Sequence, residues 1–170
     1  MTPELLDQAL VEEATKKSGL VWVRAPGVPA RPLWHVWHEG AACVVGDGPG
    51  EQPLRALTDG TTAEVTVRSK DKGGRLVTWT ARVVELAPGS DAWQAAVADL
   101  KGKRLNATDG EAMPDRWARE CRVLRLEPTG ELAPLPDGSL AEPAPASPAT
   151  TREPAPAALP RLLFKRRRRR

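Results

Sequence analysis

The fold is decided by residues 20–46, which read LVWVRAPGVPARPLWHVWHEGAACVVG. Runs rich in Val, Trp and Leu alternate here with a Pro-Gly turn and a Glu-Gly turn. Such runs predict three short strands, at 20–25, 33–37 and 41–46. Because no helix separates the three, they favour an antiparallel sheet over a doubly wound parallel one.

Three further strands follow the same pattern. The segment TAEVTVR at 62–68 alternates, with Val65 and Val67 on one face. The segment RLVTWTARVVEL at 75–86 reaches about 40 Å when extended, which is long enough to bend around a barrel. With a last strand, CRVLRLE at 121–127, the pattern predicts an α+β domain built on a six-stranded antiparallel β-barrel with flanking helices.

The spacing of apolar residues predicts helices around these strands. The first begins at Thr2-Pro3 and ends near Gly19, and its repeated apolar residues predict a buried face of Leu5, Leu6, Ala9, Leu10 and Ala14. A second helix is predicted at 91–103, with Trp93, Ala96, Val97 and Leu100 on one face. Shorter helices are predicted near 52–58 and 114–119.

The chain changes in composition after residue 127. Residues 129–160 contain eight Pro and eight Ala among 32 residues, which predicts a disordered spacer. We therefore expect a folded domain at 1–127, and a disordered Pro/Ala-rich linker and basic tail at 128–170.

Charge is divided in the same way. Residues 1–127 carry 17 Lys and Arg against 18 Asp and Glu, whereas residues 128–170 carry a net charge of +4. The ordered part is therefore not a basic nucleic-acid-binding domain. The terminal KRRRRR at 165–170 predicts weak tethering to an anionic partner, or no more than a solvated end.

Several classes of protein are excluded or disfavoured. The sequence contains no run of 18 apolar residues, so it predicts no transmembrane segment. The acidic, amphipathic N-terminus is unlike a signal peptide. Cys43 and Cys121 lack metal-ligand spacing and are interpreted as reduced core residues. We expect a cytoplasmic protein without a metal site.

These elements resemble the FMN-binding split-barrel superfamily of pyridoxamine-5′-phosphate oxidase-like proteins, which includes deazaflavin-dependent oxidoreductases. The resemblance covers residues 1 to about 127. It rests on the first β-meander, in which Arg31-Pro32 and Trp37 match a family strand reading R-P-x-x-x-x-W, on the segment GEQPLRAL, and on a helix containing Ala92-Trp93. Abundant Ala, Arg, Pro and Gly without Tyr is typical of members from GC-rich, actinobacterial genomes.

The resemblance implies an oxidoreductase that binds FMN or the deazaflavin F420 and acts on an unidentified small molecule. It also implies a homodimer with cofactor sites between subunits, in which we expect Trp34 or Trp37 to be buried. Nine residues are candidates for cofactor binding: Trp34, His35, Trp37, Gly48, Gln52, Arg68, Arg75, Arg116 and Trp117.

Each candidate has a structural alternative. The tryptophans and histidines of 34–38 either line a flavin pocket or serve as core and surface of a hairpin, and one histidine alone is a conceivable haem ligand. Arg68 and Arg75 either receive a phosphate or solvate a turn. Arg116 and Trp117 either bracket a ligand or close one end of the barrel.

One loop departs from the family pattern. Flavin-binding members carry Lys or Arg near the segment that here reads GDGPGEQPLRAL, where Asp47 and Glu51 stand instead. The N–H groups of 48–52, at the start of the predicted helix, attract anions, but two carboxylates oppose this attraction. A second hypothesis is therefore a cofactor-free split-barrel binding or scaffold module.

Overall fold

One antiparallel sheet organises the computed structural model, which describes residues 2–70 and 74–134. Within these residues the sheet has seven strands: β1 (Leu20–Arg24), β2 (Arg31–Trp34), β3 (Val36–His38), β4 (Ala41–Gly46), β5 (Thr62–Arg68), β6 (Arg75–Glu85) and β7 (Arg122–Leu132). The three α-helices are α1 (Pro3–Lys17), α2 (Asp91–Lys103) and α3 (Met113–Glu120), with a 3-10 turn at Gly110–Ala112. The predicted tail lies outside the described residues, except for its first residues up to 134.

The strand order is β2-β1-β5-β6-β7-β4-β3, with every neighbouring pair antiparallel. The two edge strands, β2 and β3, are consecutive in sequence and separated only by His35. The sheet therefore curls until its two edges meet, and it forms a nearly closed barrel. The predicted α+β class and antiparallel barrel are confirmed.

The strand count is seven and not the predicted six. The sequence predicts one strand at 33–37, but the chain changes partner at His35. Residues before it pair with β1, and residues after it pair with β4. One continuous strand cannot follow both neighbours across this seam, so the segment divides into β2 and β3.

Two apolar clusters hold the helices on the barrel. The first fills the barrel interior and includes Val65 and Trp79, with Val11 of α1 packed across one end. The second lies outside the sheet, where α2 and α3 cover β3, β4 and β7. The face predicted for α2 is confirmed, since Trp93, Ala96, Val97 and Leu100 are buried there.

The buried face of α1 differs from the prediction. Val11 and Thr15 are buried, whereas Leu5, Leu6 and Leu10 are exposed. The bounds of the helix match, but its leucines lie on the opposite side. Helical periodicity predicts the helix, but it does not show which side of the helix packs against the end of the barrel.

The short helix predicted at 52–58 does not form, and turns occupy this stretch instead. Pro53 removes one backbone donor, and the side chain of Asp47 accepts a hydrogen bond from the Leu54 backbone N–H at 2.7 Å. Ala56 has a positive φ of 59°, which no helix contains. The anion site expected at this helix's N-terminus therefore has no helix to supply it.

The last strand, β7, extends to Leu132, five residues past its predicted end. Leu132 lies in the stretch that composition predicts as the beginning of the spacer, yet it belongs to the sheet and pairs with Trp79 of β6. None of the helices in the described part of the chain is long and apolar enough to cross a membrane.

Candidate functional site

The acidic loop after β4 is held by arginines from the helical side of the molecule. The Glu51 side chain is only 1% exposed, and its carboxylate accepts from Arg104 Nε at 3.1 Å and from Arg116 Nη2 at 3.2 Å. The Trp117 indole N–H also donates to it, at 3.2 Å. We call Glu51, Arg104, Arg116 and Trp117 the Glu51 cluster.

Arg116 is further tied to Asp109, with Nε 2.5 Å from Oδ2. The hydrogen bond from Arg116 lowers the pKa of Asp109. The pKa of Arg116 is raised, chiefly by its hydrogen bond to Asp109 and to a smaller extent by its hydrogen bond to Glu51. The two candidate residues Arg116 and Trp117 are thus brought together, but their polar groups face protein carboxylates. Trp117 itself is fully buried between α3 and the outer face of the sheet.

Asp47 has a similar role at the start of the same loop. Its Oδ2 accepts from Arg122 Nη1 at 3.1 Å, and Arg122 also pairs with Glu85 at 3.0 Å. Those carboxylates raise the pKa of Arg122, with Glu85 the larger cause. Both loop carboxylates therefore attract cations of this chain, and they anchor the loop to the α3–β7 region.

Gly48 and Gln52 fix the packing of this loop against its neighbours. A Cβ on Gly48 would stand 2.3 Å from Cys121 Sγ, so the loop packs directly on the end of α3. The Gln52 amide donates to the carbonyls of Trp34 and Val45, at 3.0 and 3.1 Å, and accepts from the Trp34 N–H at 2.9 Å. Gln52 thereby joins β2 to β4 across the open seam of the barrel.

The two histidines have separate structural partners. His35 is fully buried, and its Nε2 lies 2.8 Å from the Thr15 carbonyl oxygen of α1. Burial lowers the pKa of His35 to about 4, so the ring is neutral at pH 7. His38 Nδ1 lies 2.6 Å from Asp99 Oδ2 of α2. Each ring therefore has a protein partner at one of its nitrogens, and the haem alternative stays a prediction.

Arg68 and Arg75 lie at the far end of the β5–β6 hairpin. They pair with each other in register, and Arg75 Nη2 donates to the Pro134 carbonyl at 2.6 Å. The opposite end of β6, at Glu85, contacts the Glu51 loop through Arg122. Ten residue steps of strand place the two ends roughly 30 Å apart, so the nine candidates do not form one site.

A cavity of about 630 Å³ lies between α1 and the barrel end, and we call it the α1 cavity. Trp37 and Trp79 form its barrel wall, and the outer turns of α1 form the opposite wall. Of the nine predicted residues, only Trp37 lines it.

The third wall of the α1 cavity is an irregularity in β7. Trp79 pairs with Leu132 and Ala81 pairs with Pro128, so a single residue of β6 faces the three residues 129–131 of β7. This is a β-bulge, a feature that re-aims side chains and often borders functional sites. Gly130 accommodates it with a positive φ of 92°.

The remaining chemical groups offer little for catalysis. No group of three or more His, Cys, Asp or Glu suited to a metal ion occurs in the ranges 2–70 and 74–134. Both cysteines are free, and burial raises the pKa of Cys43 to about 11 and also raises that of Cys121. Such thiols remain protonated at neutral pH and are poor nucleophiles.

Sequence reasoning missed Trp79 and the acidic side chains of the α1 cavity. Trp79 lies within the predicted strand at 75–86, and nothing in that pattern marks it as part of a site. The acidic character of the N-terminal helix indicates only that the segment is unlike a signal peptide. A signal was present in the Pro-Thr-Gly of 128–130, because Pro and Gly inside a strand pattern mark bulges.

A barrel of this order, with its interior closed at one end by an N-terminal helix and its outer face covered by two more, defines the split-barrel class of folds. The heme storage protein HutZ from Vibrio cholerae is similar in structure, with a TM-score of 0.53, 16% identity, and coverage of 72% of this chain and 90% of that one. At this identity the likeness shows the fold alone.

Two weaker similarities accompany it. The FAD and heme binding protein from Mycobacterium smegmatis has a TM-score of 0.45 at 18% identity, covering 94% of this chain and 92% of its own. An F420 reductase has a TM-score of 0.45 at 15% identity, covering 72% and 94%. No protein-family model and no curated protein matches the chain.

Proposed function

We propose that this chain is a small-molecule-binding protein that uses a split barrel without a resident flavin, and that the α1 cavity is its binding site. The observation that carries the proposal is the cavity itself. It places Trp37 and Trp79 beside about 630 Å³ of open space, a volume within the usual range for small-molecule sites.

The alternative function, an oxidoreductase dependent on FMN or F420, requires cations that face a phosphorylated cofactor. In the described part of the chain, Arg104 and Arg116 face Glu51 instead, and Arg122 faces Asp47 and Glu85. The lining of the α1 cavity contains no Lys or Arg. A phosphate would lack charge compensation there, so these contacts favour the binding module over the flavin enzyme.

We also propose that the protein is a cytoplasmic homodimer. The exposed side chains of Leu5, Leu6 and Leu10 support association, because clustered apolar surface on one helix is removed from water when a second copy covers it. For the basic tail at 165–170 we keep the proposal of weak tethering to an anionic partner.

Titration calorimetry with FMN and with F420 separates the two functions. We expect no saturable binding of either, and a purified protein without flavin absorbance. Saturable, stoichiometric binding of either cofactor would refute the proposal and restore the flavin enzyme.

A thermal-shift screen of small molecules then tests the site. We expect at least one compound to raise the midpoint of the native protein and of Trp22→Leu, but not that of Trp37→Leu. Trp22 is a matched control because it is partly exposed on β1 and does not line the α1 cavity. If stabilising compounds act equally on both variants, they bind elsewhere and the assignment of the site is wrong.

A further inference from the structure

We infer that the C-terminal segment of this chain, residues 159–170, docks on the outer face of α1. The inference rests on the weak tethering proposed above for the basic tail, and it names the partner as a surface of the same chain. The segment reads LPRLLFKRRRRR and lies outside the described residues. The outer face of α1 carries Leu5, Leu6 and Leu10, and we call these three residues the leucine face.

The leucine face is apolar surface that the fold leaves in water. Leu5 and Leu6 are each 54% exposed, and Leu10 is 42% exposed. Leu6 and Leu10 are four residues apart and therefore neighbours on the helix surface, and Leu5 flanks them. The barrel takes the other side of α1, where Val11 and Thr15 are buried, so the leucine face is open to an additional apolar partner.

Charge indicates which partner fits. Glu4 and Asp7 lie in the same turns of α1 as the leucine face, and neither forms an ion pair with a described residue. The segment has its apolar residues at 162–164 directly before six consecutive cations at 165–170, and it contains no Asp or Glu. Each side therefore places three apolar side chains next to charge, and the charges of the two sides are opposite in sign.

The described chain ends where the segment can reach α1. Leu132, the last residue of β7, lines the α1 cavity together with Glu4 and Asp7, so the tail leaves the barrel beside α1. Residues 135–158 then connect the fold to the segment, and these 24 residues span up to about 80 Å when extended. A linker that can span two sites gives an effective concentration in the millimolar range, so even a weak contact becomes populated.

A second copy of the chain is the other candidate occupant, since the same leucines support the proposed dimer. A second α1 would bring its own Glu4 and Asp7, whereas the segment brings cations to these carboxylates. Like charges that face each other disfavour association, so the segment is the better complement. The two occupants compete, so docking weakens the dimer without excluding it.

Trypsin measures docking on the full chain, because a docked segment shields its own cleavage sites. Arg161 lies within the segment, and Arg152 lies in the predicted spacer and serves as an internal control. We measure initial rates by mass spectrometry, at low salt. Relative to cleavage after Arg152, we expect cleavage after Arg161 to be about fourfold slower in the native chain than in Leu6→Gln combined with Leu10→Gln. A fourfold change corresponds to a segment that is undocked in about a quarter of the molecules.

Two further variants separate docking from other effects. Leu20→Gln combined with Leu105→Gln is the matched control, because both leucines are exposed outside α1 and their replacement should leave the ratio unchanged. Glu4→Gln combined with Asp7→Asn should reduce the protection of Arg161 to about twofold, and about 0.5 M salt should do the same in the native chain.

The outcomes distinguish this inference from the proposals on which it builds. Cleavage after Arg161 that is equally fast in the native chain and in the α1 variants overturns the inference. Protection that increases with protein concentration places the segment on a second copy and overturns docking within the chain. Retention of the full chain on heparin without protection of Arg161 keeps the weak tethering and overturns only the choice of α1. The small-molecule site is tested separately, through Trp37.

Discussion

Replacing Glu51 by Lys should strongly destabilise the domain, although the same change would improve a flavin site. Glu51 is 1% exposed and binds two guanidinium groups and one indole N–H. The substitution removes a buried anion and places a third cation between Arg104 and Arg116. Breaking a buried ion pair in this way costs about 3–5 kcal/mol.

That cost converts into a large shift of the melting temperature. An unfolding entropy of about 2.1 cal/mol/K per residue, over a domain of about 130 residues, gives about 4 °C for each kcal/mol. We therefore expect Glu51→Lys to lower the midpoint by about 15 °C, measured by circular dichroism at low salt. Glu51→Gln keeps the shape and one acceptor, so we expect about half of that shift.

The control is Glu64→Lys. Glu64 pairs with Arg24 at 2.8 Å, but the two side chains are 40% and 57% exposed. Exposed pairs contribute at most about 1 kcal/mol, so this variant should lose less than about 4 °C. Glu51→Lys and Glu51→Gln losing no more than Glu64→Lys would refute the structural role of the Glu51 cluster. Tighter FMN or F420 binding by a fully stable Glu51→Lys protein would refute it as well and would support a flavin site.

Four further results follow from the structure. The free energy of unfolding should fall by up to about 3 kcal/mol as the pH drops from 6.5 towards 4, because His35 takes up a proton in the unfolded chain but not in the folded protein, where its pKa is about 4. Urea titrations should show that this dependence on pH is weaker in His35→Gln and unchanged in His38→Gln. Gly48→Ala should lower the thermal midpoint by several degrees, because the new Cβ would meet Cys121 Sγ, and an unchanged midpoint would contradict that packing. Light scattering at micromolar concentration should give the mass of a homodimer, and a monomer would count against it. Deleting residues 135–170 should leave the midpoint nearly unchanged in calorimetry, and a large drop would show that the tail contributes to folding.

Regular elements could be predicted from sequence because each depends on local pattern. The bounds of β4, β5 and α2 match the prediction residue for residue. The break at His35 could not be found in this way, because it depends on which strands become neighbours when the barrel closes. The exposure of the α1 leucines could not be predicted for the same reason. Periodicity shows which residues share a side of the helix, but the side that is buried depends on how the helix packs against the barrel.

The acidic loop shows why a site is harder to predict than a fold. From sequence, Glu51 could only be compared with the cation expected at that place, and its charge implied repulsion of a phosphate. In the structure the same carboxylate lies between arginines that are 53 and 65 residues away in the chain. No local sequence pattern links these positions, yet their pairing means that the negative charge of Glu51 stabilises the fold. Glu51 does more than weaken a phosphate site, because it binds the arginines that such a site would need. The cations and the anion of this region neutralise one another, so the charge of Glu51 is balanced within the fold and is not presented to a ligand.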